Sequence, residues 1–475
     1  MGRRIAIIGA GPSGLAVAKA LALEPKVSKL FSAIDVYERH PKAGGLWYYT
    51  GLKNHVTPIV PSPNNDESGE IASSDAKTSE QRFVSPMYDH LETNIPKEMM
   101  KFHGIPFPDD CETFPTRSEV VQYLENYTKT IPQSVNFTFN TNVTSLTKKT
   151  DPDQWELIYQ DVFKDDESRT KLYDDVILAQ GHFDYPFIPE VEGLKDWATK
   201  DKNSITHAKY FNNVEAYRGK NVLIIGNSAS GIDIATQCIT SAKSVTMSSC
   251  SESPFKDVII SHVAQIGKIS RYDFDHDRSV ISEDGTKLSG IDTVIFCTGY
   301  LYKIPFLKSY QVDSCDKSLL SDGSQLLNLY KQIFYIPDPS LALMAVPQLV
   351  IPFPFAECQA QYVARVLSRR VSLPSETEMN KSYQSELKEK GPGRSFHAMK
   401  GISDAEYCNQ LFDLISGTEK DGFVAEYWDD ARKGLRSSCG SLKGERLKLI
   451  VRHADNLKKE GKPFRLLRGE FNPTD

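Results

Sequence analysis

The residues of this chain best suited to chemistry are glycines. Gly9, Gly11 and Gly14 stand at the spacing G-x-G-x-x-G, after the apolar run Ile5-Ala6-Ile7-Ile8 and before Leu15-Ala16-Val17-Ala18. That order predicts a strand, a tight turn and a helix, the phosphate-binding corner of a dinucleotide fold. Gly9 turns the chain off the strand, Gly11 lets backbone approach a pyrophosphate, and Gly14 lets the helix pack close to the sheet. Pro12 and Ser13 complete the turn, where the free N–H groups of a helix N-terminus attract an anion. A second strand, Ile34-Asp35-Val36-Tyr37-Glu38, ends in a carboxylate placed to accept from a ribose hydroxyl.

The pattern returns at Lys220–Ala235, with Gly226, Ser228, Ala229, Ser230 and Gly231 forming the turn. Ser228 takes the place of the middle glycine, a small change that still admits a pyrophosphate. Two such turns predict two nucleotide sites in one chain. The strand that follows, Ser244-Val245-Thr246-Met247, runs into Ser248-Ser249-Cys250. With no carboxylate there to repel a 2′-phosphate and hydroxyls to bond it, NADP is favoured over NAD. Lys256 is the nearest cation downstream.

The elements that position these turns come next. Gly44-Gly45-Leu46-Trp47 suits a loop passing beneath a flat ligand, although Trp47 fits core packing equally well. Residues 57–82, rich in Pro, Asn, Asp, Ser and Glu, read as a surface insertion without chemistry. Ser85–Lys97, bounded by Pro86 and Pro96, reads as a polar loop in which Asn94 is, by residue type alone, a turn residue. Thr116 and Glu119 stand at capping-box spacing and predict a helix start. Val135–Leu146 and Trp155–Tyr159 alternate as strands, and Asp174–Gly181 is a buried strand ending in glycine. Pro186, Pro189 and Gly193 mark a linker, Asp292–Tyr300 is a further buried strand, and Gln348–Ala360 runs from a proline-rich turn into a helix ending near Arg370. The last 100 residues are charged and amphipathic, without a motif.

With 475 residues, the chain is long enough for two or three domains. Its net charge of −6, with both signs interspersed, gives no support to a nucleic-acid partner. Eight cysteines without a C-x-x-C pair argue against a zinc site, a disulfide scaffold or a redox dithiol, and no metal is expected. The first strand begins within five residues, leaving no room for a signal peptide, and the apolar stretch Leu341–Ala356 is broken by three prolines. A cytoplasmic protein without a transmembrane segment is therefore expected, with peripheral contact to an intracellular membrane left open. The N-x-T triplets at Asn126, Asn136 and Asn142 are then chance matches.

Taken together, these residues resemble the flavin-containing monooxygenases over almost the whole chain. Carrying the resemblance are Gly9–Gly14, Gly44–Trp47, the Asn94 loop, Phe114–Leu124, the second glycine turn and Phe296-Cys297-Thr298-Gly299-Tyr300. Met87–Asn94 and Gln348–Phe355 look most like the soluble fungal members, including the thiol-oxidising type. The resemblance implies an α/β protein with two Rossmann-like domains, the NADP domain (183–298) inserted into an FAD domain (1–182 and 299–475, with C-terminal helices). It implies cofactor contacts at Gly9, Gly11, Pro12, Ser13, Gly14, Glu38, Gly45, Leu46, Trp47, Thr93, Asn94, Val143, Gly226, Ser228, Ala229, Ser230, Gly231, Ser248 and Gln348, the first glycine turn serving FAD and the second NADP. It also implies that NADPH reduces FAD, that the reduced flavin takes up O₂ as a C4a-hydroperoxide, and that one oxygen atom passes to a soft nucleophile. Asn94 would then be the catalytic side chain, beside flavin and nicotinamide. Small thiols or other sulfur compounds fit this best, and amines are a further group. A Baeyer-Villiger oxygenase of ketones, an N-hydroxylase and a nucleotide-binding protein without oxygenase activity stay open as alternatives, as does a homodimer. The chain departs from the family stretch F-x-G-x-x-x-H-x-x-x-F/Y, which keeps His207 and Phe211 but has Asp201 and Asn203 in the first two places. The arginine usual after the second acceptor strand is also absent, so the role of His207 and the strength of NADPH preference are open.

Overall fold

The computed structural model describes residues 2–53, 59–61, 78–164, 167–250, 255–259, 262–310 and 317–469. Along the chain, β1 (Arg3–Ile8), α1 (Pro12–Ala22), β2 (Phe31–Tyr37), α2 (Arg117–Thr128), β3 (Val135–Thr138) and β4 (Asp175–Leu178) come first. There follow β5 (Ile205–His207), β6 (Asn221–Ile225), α3 (Ala229–Cys238), β7 (Ser244–Ser248), β8 (Ala264–Ile266) and β9 (Thr293–Phe296). Then come β10 (Leu341–Leu343), α4 (Pro352–Leu367) and α5 (Asp430–Lys459).

The first sheet has the order β10-β4-β1-β2-β3, all parallel, and continues beyond β10 into two short antiparallel strands, Leu329–Tyr330 and Phe334–Tyr335. The second, β8-β7-β6-β9-β5, is parallel throughout. All of its strands fall between β4 and β10, so the chain leaves one sheet, builds the other and returns. Parallel sheets are covered on both faces, which is why Ile5, Ala6 and Ile7 in β1 and Leu223 and Ile224 in β6 form unbroken apolar runs with no exposure. Over the first sheet, Ala16, Ala18 and Ala20 of α1 and Ala356, Ala360 and Ala364 of α4 are all fully buried. These small side chains let the two helices approach closely on one face of the sheet.

Two expectations change. Val135–Leu146 is two strands: Asn140 takes φ +50°, and its N–H and that of Thr141 donate to the carbonyls of His40 (3.0 Å) and Glu38 (2.8 Å). β3 therefore ends the first sheet, while Thr141–Lys148 opens a separate antiparallel sheet with Trp155–Asp161 and Ser168–Tyr173. Of the stretch 57–82, residues 57, 58 and 62–77 lie outside the described residues, but its end is not surface. Ser79 and Glu80 are buried, where Glu80 accepts from the Thr50 N–H (2.7 Å) and Ser79 Oγ meets His40 Nδ1 (3.0 Å). The expected capping box is present, with Thr116 and Glu119 capping α2.

The 30-residue helix α5 packs Leu447, Ile450, Val451 and Ala454 into the core formed by Ile232, Ala235 and Ile239 of the second unit. Among the described residues, no helix is long and apolar enough to cross a membrane.

Candidate active site

The two glycine turns share one geometry. At the first, Gly9 N–H donates to the Tyr37 carbonyl at the end of β2 (2.8 Å), and Ala179 N–H donates to the Ile8 carbonyl (2.8 Å). At the second, Gly226 N–H donates to the Ser248 carbonyl at the end of β7 (2.8 Å), and Cys297 N–H to the Ile225 carbonyl (2.8 Å). Gly9 and Gly226 take φ +107° and +110°, a region that L side chains avoid. A Cβ on either would come within 2.5 Å of the next strand's carbonyl, that of Ala179 or Cys297. A Cβ on Gly14 would lie 2.0 Å from the Gly9 carbonyl oxygen, and one on Gly231 2.0 Å from that of Gly226. Each helix is thus pressed so close to its strand that only hydrogen fits.

Gly11 (φ −74°, ψ −177°) and Ser228 (φ −82°, ψ −172°) cap α1 and α3 with matching extended backbones, and neither helix has a side-chain cap. Pro12 and Ala229 are the first helical residues. The opening N–H groups of both helices stay available for an anion, and these residues fit the pyrophosphates of two dinucleotides. The sites differ in cover. Gly44 N–H donates to the Ala10 carbonyl (2.9 Å) and Gly45 lies against Gly11, so the first turn, including Ser13, is enclosed. Ser228, Ala229 and Ser230 are exposed, and the second turn opens to solvent.

Glu38 is buried beside the first turn. Its Oε2 accepts from Ala10 N–H (2.7 Å) and its Oε1 from His40 N–H (2.9 Å), while burial raises its pKa above the ordinary carboxylate value. Each oxygen keeps a lone pair for a ribose hydroxyl. Val143 belongs to the apolar cluster that holds Tyr37 and Ile8, next to Glu38 in the chain. Leu46 and Trp47 lie in the short helical turn Gly45–Trp47, where the Leu46 carbonyl accepts from the Ser85 hydroxyl and the half-buried Trp47 packs on the first core. Thr93 is buried, its N–H bonded to the Pro115 carbonyl (2.9 Å) and its hydroxyl to the Ile95 carbonyl (2.8 Å). Asn94, the next residue, is exposed, and its side chain makes no hydrogen bond among the described residues. Gln348 donates to the Tyr302 hydroxyl (2.9 Å) just before α4.

Ser248 turns inward: its hydroxyl donates to the Gly267 carbonyl (2.8 Å) at 1% exposure, which leaves Ser249 and Cys250 as the outward positions. The side chain of Lys256 lies outside the described residues. His207 has no exposure; its Nδ1 accepts from Lys209 N–H (3.1 Å), so Nε2 carries the proton and donates to the Gly299 carbonyl (3.1 Å). Burial lowers its pKa to about 3, and its ring fastens β5 to the strand end after β9. Asp201, where the family stretch has an aromatic residue, pairs with Arg278 (2.8 Å).

Sequence reasoning missed the contacts that hold the Asn94 loop, through Tyr88, Asp233, Gln237, Lys443 and Arg446. It also missed a small cleft at the ends of β4 and β10. Gln180, His182, Tyr302 and Lys303 line it, and Gln180 Oε1 and His182 Nε2 are buried there without a partner among the described residues. No local pattern announces residues that converge from segments so far apart in the chain. Among the described residues no group of His, Cys, Asp or Glu could hold a metal ion, and the seven described cysteines are free.

One dinucleotide fold inserted into another, with a polar loop between the two turns, defines an oxidoreductase of the two-nucleotide flavoprotein class. The chain belongs to the flavin-binding monooxygenase-like family, whose model matches residues 65–269 and 256–422, and a model for an NAD(P)-binding Rossmann-like domain matches residues 7–62. Its cofactors are FAD and NADP. It is 32% identical to the thiol-specific monooxygenase of Saccharomyces cerevisiae, with 97% of each chain covered. It is 28% identical to the flavin-containing monooxygenase ustF2 of Aspergillus flavus, covering 91% of this chain and 97% of that one. Among solved structures, S-allyl-L-cysteine S-oxygenase from Allium sativum shares the fold, with a TM-score of 0.73, 24% identity, and 97% of this chain and 99% of that chain covered.

Proposed function

We propose that the protein is an NADPH-dependent monooxygenase that transfers one oxygen atom from O₂ to a soft nucleophile, with small thiols and related sulfur compounds as its first substrate class and amines as a second. The observation that carries this reading is the pair of geometrically equivalent glycine turns, at Gly9–Gly14 and Gly226–Gly231, with the Ser85–Asn94 loop tied to both units. The preference for sulfur is supported by the similarity to a thiol-specific relative.

In this reading FAD is held in a unit made of residues 1–182 and 299–475, by Gly9, Gly11, Pro12, Ser13, Gly14 and Glu38, with Gly45, Leu46, Trp47, Thr93, Val143 and Gln348 as further cofactor contacts, and Asn94 stands beside the reacting rings without carrying FAD affinity. NADP is held in the unit 183–298, by Gly226, Ser228, Ala229, Ser230 and Gly231, while Ser248, its hydroxyl turned onto Gly267, shapes the strand end without touching the nucleotide. When bound, FAD supplies the redox chemistry, accepting hydride from NADPH and activating O₂. The chain's own work is positional. The N-terminus of α1 binds phosphate, Glu38 accepts from ribose, and the Gly44–Trp47 loop keeps water from the enclosed turn. The unpaired amide of Asn94 donates toward the oxygen being transferred or orients the nicotinamide, a hydrogen bond worth about 1 to 3 kcal/mol in a dry site.

A visible spectrum of the purified protein, followed by NADPH consumption with a small thiol, a tertiary amine and a cyclic ketone, tests the proposal. Product should match NADPH consumed for the thiol. A protein that stays colourless after FAD reconstitution overturns it, and product from the ketone alone moves it to the Baeyer-Villiger class.

A further inference from the structure

The loop that carries Asn94 is built into three parts of the molecule at once. On the side of the first turn, Ser85 donates to the Leu46 carbonyl. On the second unit's side, the Tyr88 ring is buried in that unit's core, edge-on to Phe211 at 5.2 Å, and its hydroxyl donates to Asp233 Oδ2 at 2.5 Å. Asp233 lies on α3, two residues beyond Gly231. Gln237, one turn further along α3, donates to the same Asp233 oxygen and to the His90 carbonyl, both at 3.1 Å. Asp89 N–H donates to the Asn212 carbonyl (3.0 Å).

The third side is α5. Lys443 reaches Glu92 (2.7 Å) and the Thr93 carbonyl (2.9 Å), and Arg446 reaches Glu92 (2.9 Å). Burial alone would raise the Glu92 carboxyl, but the two cations overcome it and hold its pKa below the ordinary value. Tyr88, Asp89, His90, Glu92 and Thr93 are thus each anchored, and Asn94 is the first side chain beyond them with nothing to hold it.

We propose that Tyr88 and Asp233 are positioning residues that transmit the seating of a nucleotide at the Gly226–Gly231 turn into the Asn94 loop. The proposal rests on the reading of that turn and of Asn94 given above. A phosphate drawn to the N-terminus of α3 fixes the first turn of a helix whose second turn carries Asp233, and Asp233 grips the loop at Tyr88, six residues before Asn94, and again through Gln237 at His90. An asparagine so coupled is held most firmly when the nucleotide is seated, which favours oxygen transfer over peroxide release while NADP is bound.

The test uses the full-length flavoprotein with Tyr88→Phe, Asp233→Ala and Asp233→Asn. Asparagine keeps a side-chain oxygen that can accept from Tyr88, so Asp233→Asn is the rescue variant. Backbone hydrogen exchange over residues 86–94 is measured with and without NADP⁺, alongside hydrogen peroxide released per NADPH consumed. In the wild type and in Asp233→Asn, NADP⁺ should slow exchange in the loop. In Tyr88→Phe and Asp233→Ala, slowing should stay at residues 226–233, and the peroxide fraction should rise about fivefold, the factor one lost hydrogen bond gives. A merely structural contact would lower thermal stability without separating the two segments. Loop protection by NADP⁺ that is the same in all variants overturns the proposal. A wild type that forms no oxygenated product overturns the functional reading instead, and the exchange measurement still decides the coupling.

Discussion

Gly45 lies against Gly11 so closely that a Cβ added to Gly45 would stand 2.8 Å from the Gly11 Cα, whereas a Cβ on Gly11 would meet the Gly45 Cα at an ordinary 3.6 Å. The contact is asymmetric, and so are the consequences. Gly45 also takes φ +53°, which disfavours any side chain, while Gly11 at φ −74° tolerates one. Gly45→Ala should cost about 1 to 3 kcal/mol of stability through strain and displacement of the Gly11 backbone. Gly11→Ala should leave the melting temperature near that of the wild type yet place a methyl group where a pyrophosphate approaches, weakening FAD by about tenfold or more. Thermal melts and the flavin-to-protein ratio after dialysis separate the two.

Replacement of Asn94 by Ala removes an exposed amide that no other described side chain bonds, so FAD content and folding should be unchanged. NADPH should still be consumed, but most of it should appear as hydrogen peroxide. A lost hydrogen bond of about 1 to 3 kcal/mol corresponds to a fall in oxygen transfer of about 5- to 150-fold. The ratio of product to NADPH measures it, and a ratio like the wild type's removes Asn94 from the reaction.

His207 makes the folded state acid-sensitive. Its folded pKa of about 3 lies below the ordinary 6.5, so the unfolded chain binds a proton that the native state refuses. Stability is complete above pH 6.5 and is lost as the pH falls toward 3, with a slope of about 1.4 kcal/mol per pH unit for one proton. His40 and His397, also lowered to about 3 by burial, act in the same direction. His207→Gln should lower stability at pH 7, where bonds to Lys209 and Gly299 are disturbed, and should flatten the decline between pH 6.5 and 4. Denaturant melts across that range check both, and an unchanged slope rules out His207 as a contributor.

The glycine turns were legible because backbone enforces their spacing: with the Ala179 and Cys297 carbonyls 2.5 Å from any added Cβ, no other residue type can stand at Gly9 or Gly226. Glu38 was legible because it ends the strand beside the first turn. The direction of Ser248 was not, since strand side chains alternate and a run of Ser248, Ser249 and Cys250 does not show which of them faces the neighbouring strand. Nor was the break at Asn140, which depends on carbonyls of Glu38 and His40 about a hundred residues earlier. The Tyr88–Asp233 bond joins segments 145 residues apart, and nothing local in either marks it.

Ser228 offers a test in which stability and function move in opposite directions. Serine is a good helix cap, yet here it makes no cap hydrogen bond, and the first N–H groups of α3 are left without a side-chain partner. Ser228→Asp supplies a carboxylate in an N-cap position, where it can accept from those N–H groups and complement the helix dipole. Helix α3 should gain about 1 kcal/mol. The same carboxylate would occupy the anion site and repel the pyrophosphate of NADP, so the KM for NADPH should rise about tenfold or more. Flavin content should stay constant, because the first turn lies in the other sheet. A rise in melting temperature together with a rise in KM is the expected pair. If KM is unchanged while the helix is stabilised, the N-terminus of α3 is not where the nucleotide phosphates bind, and the second site must be sought elsewhere in the unit.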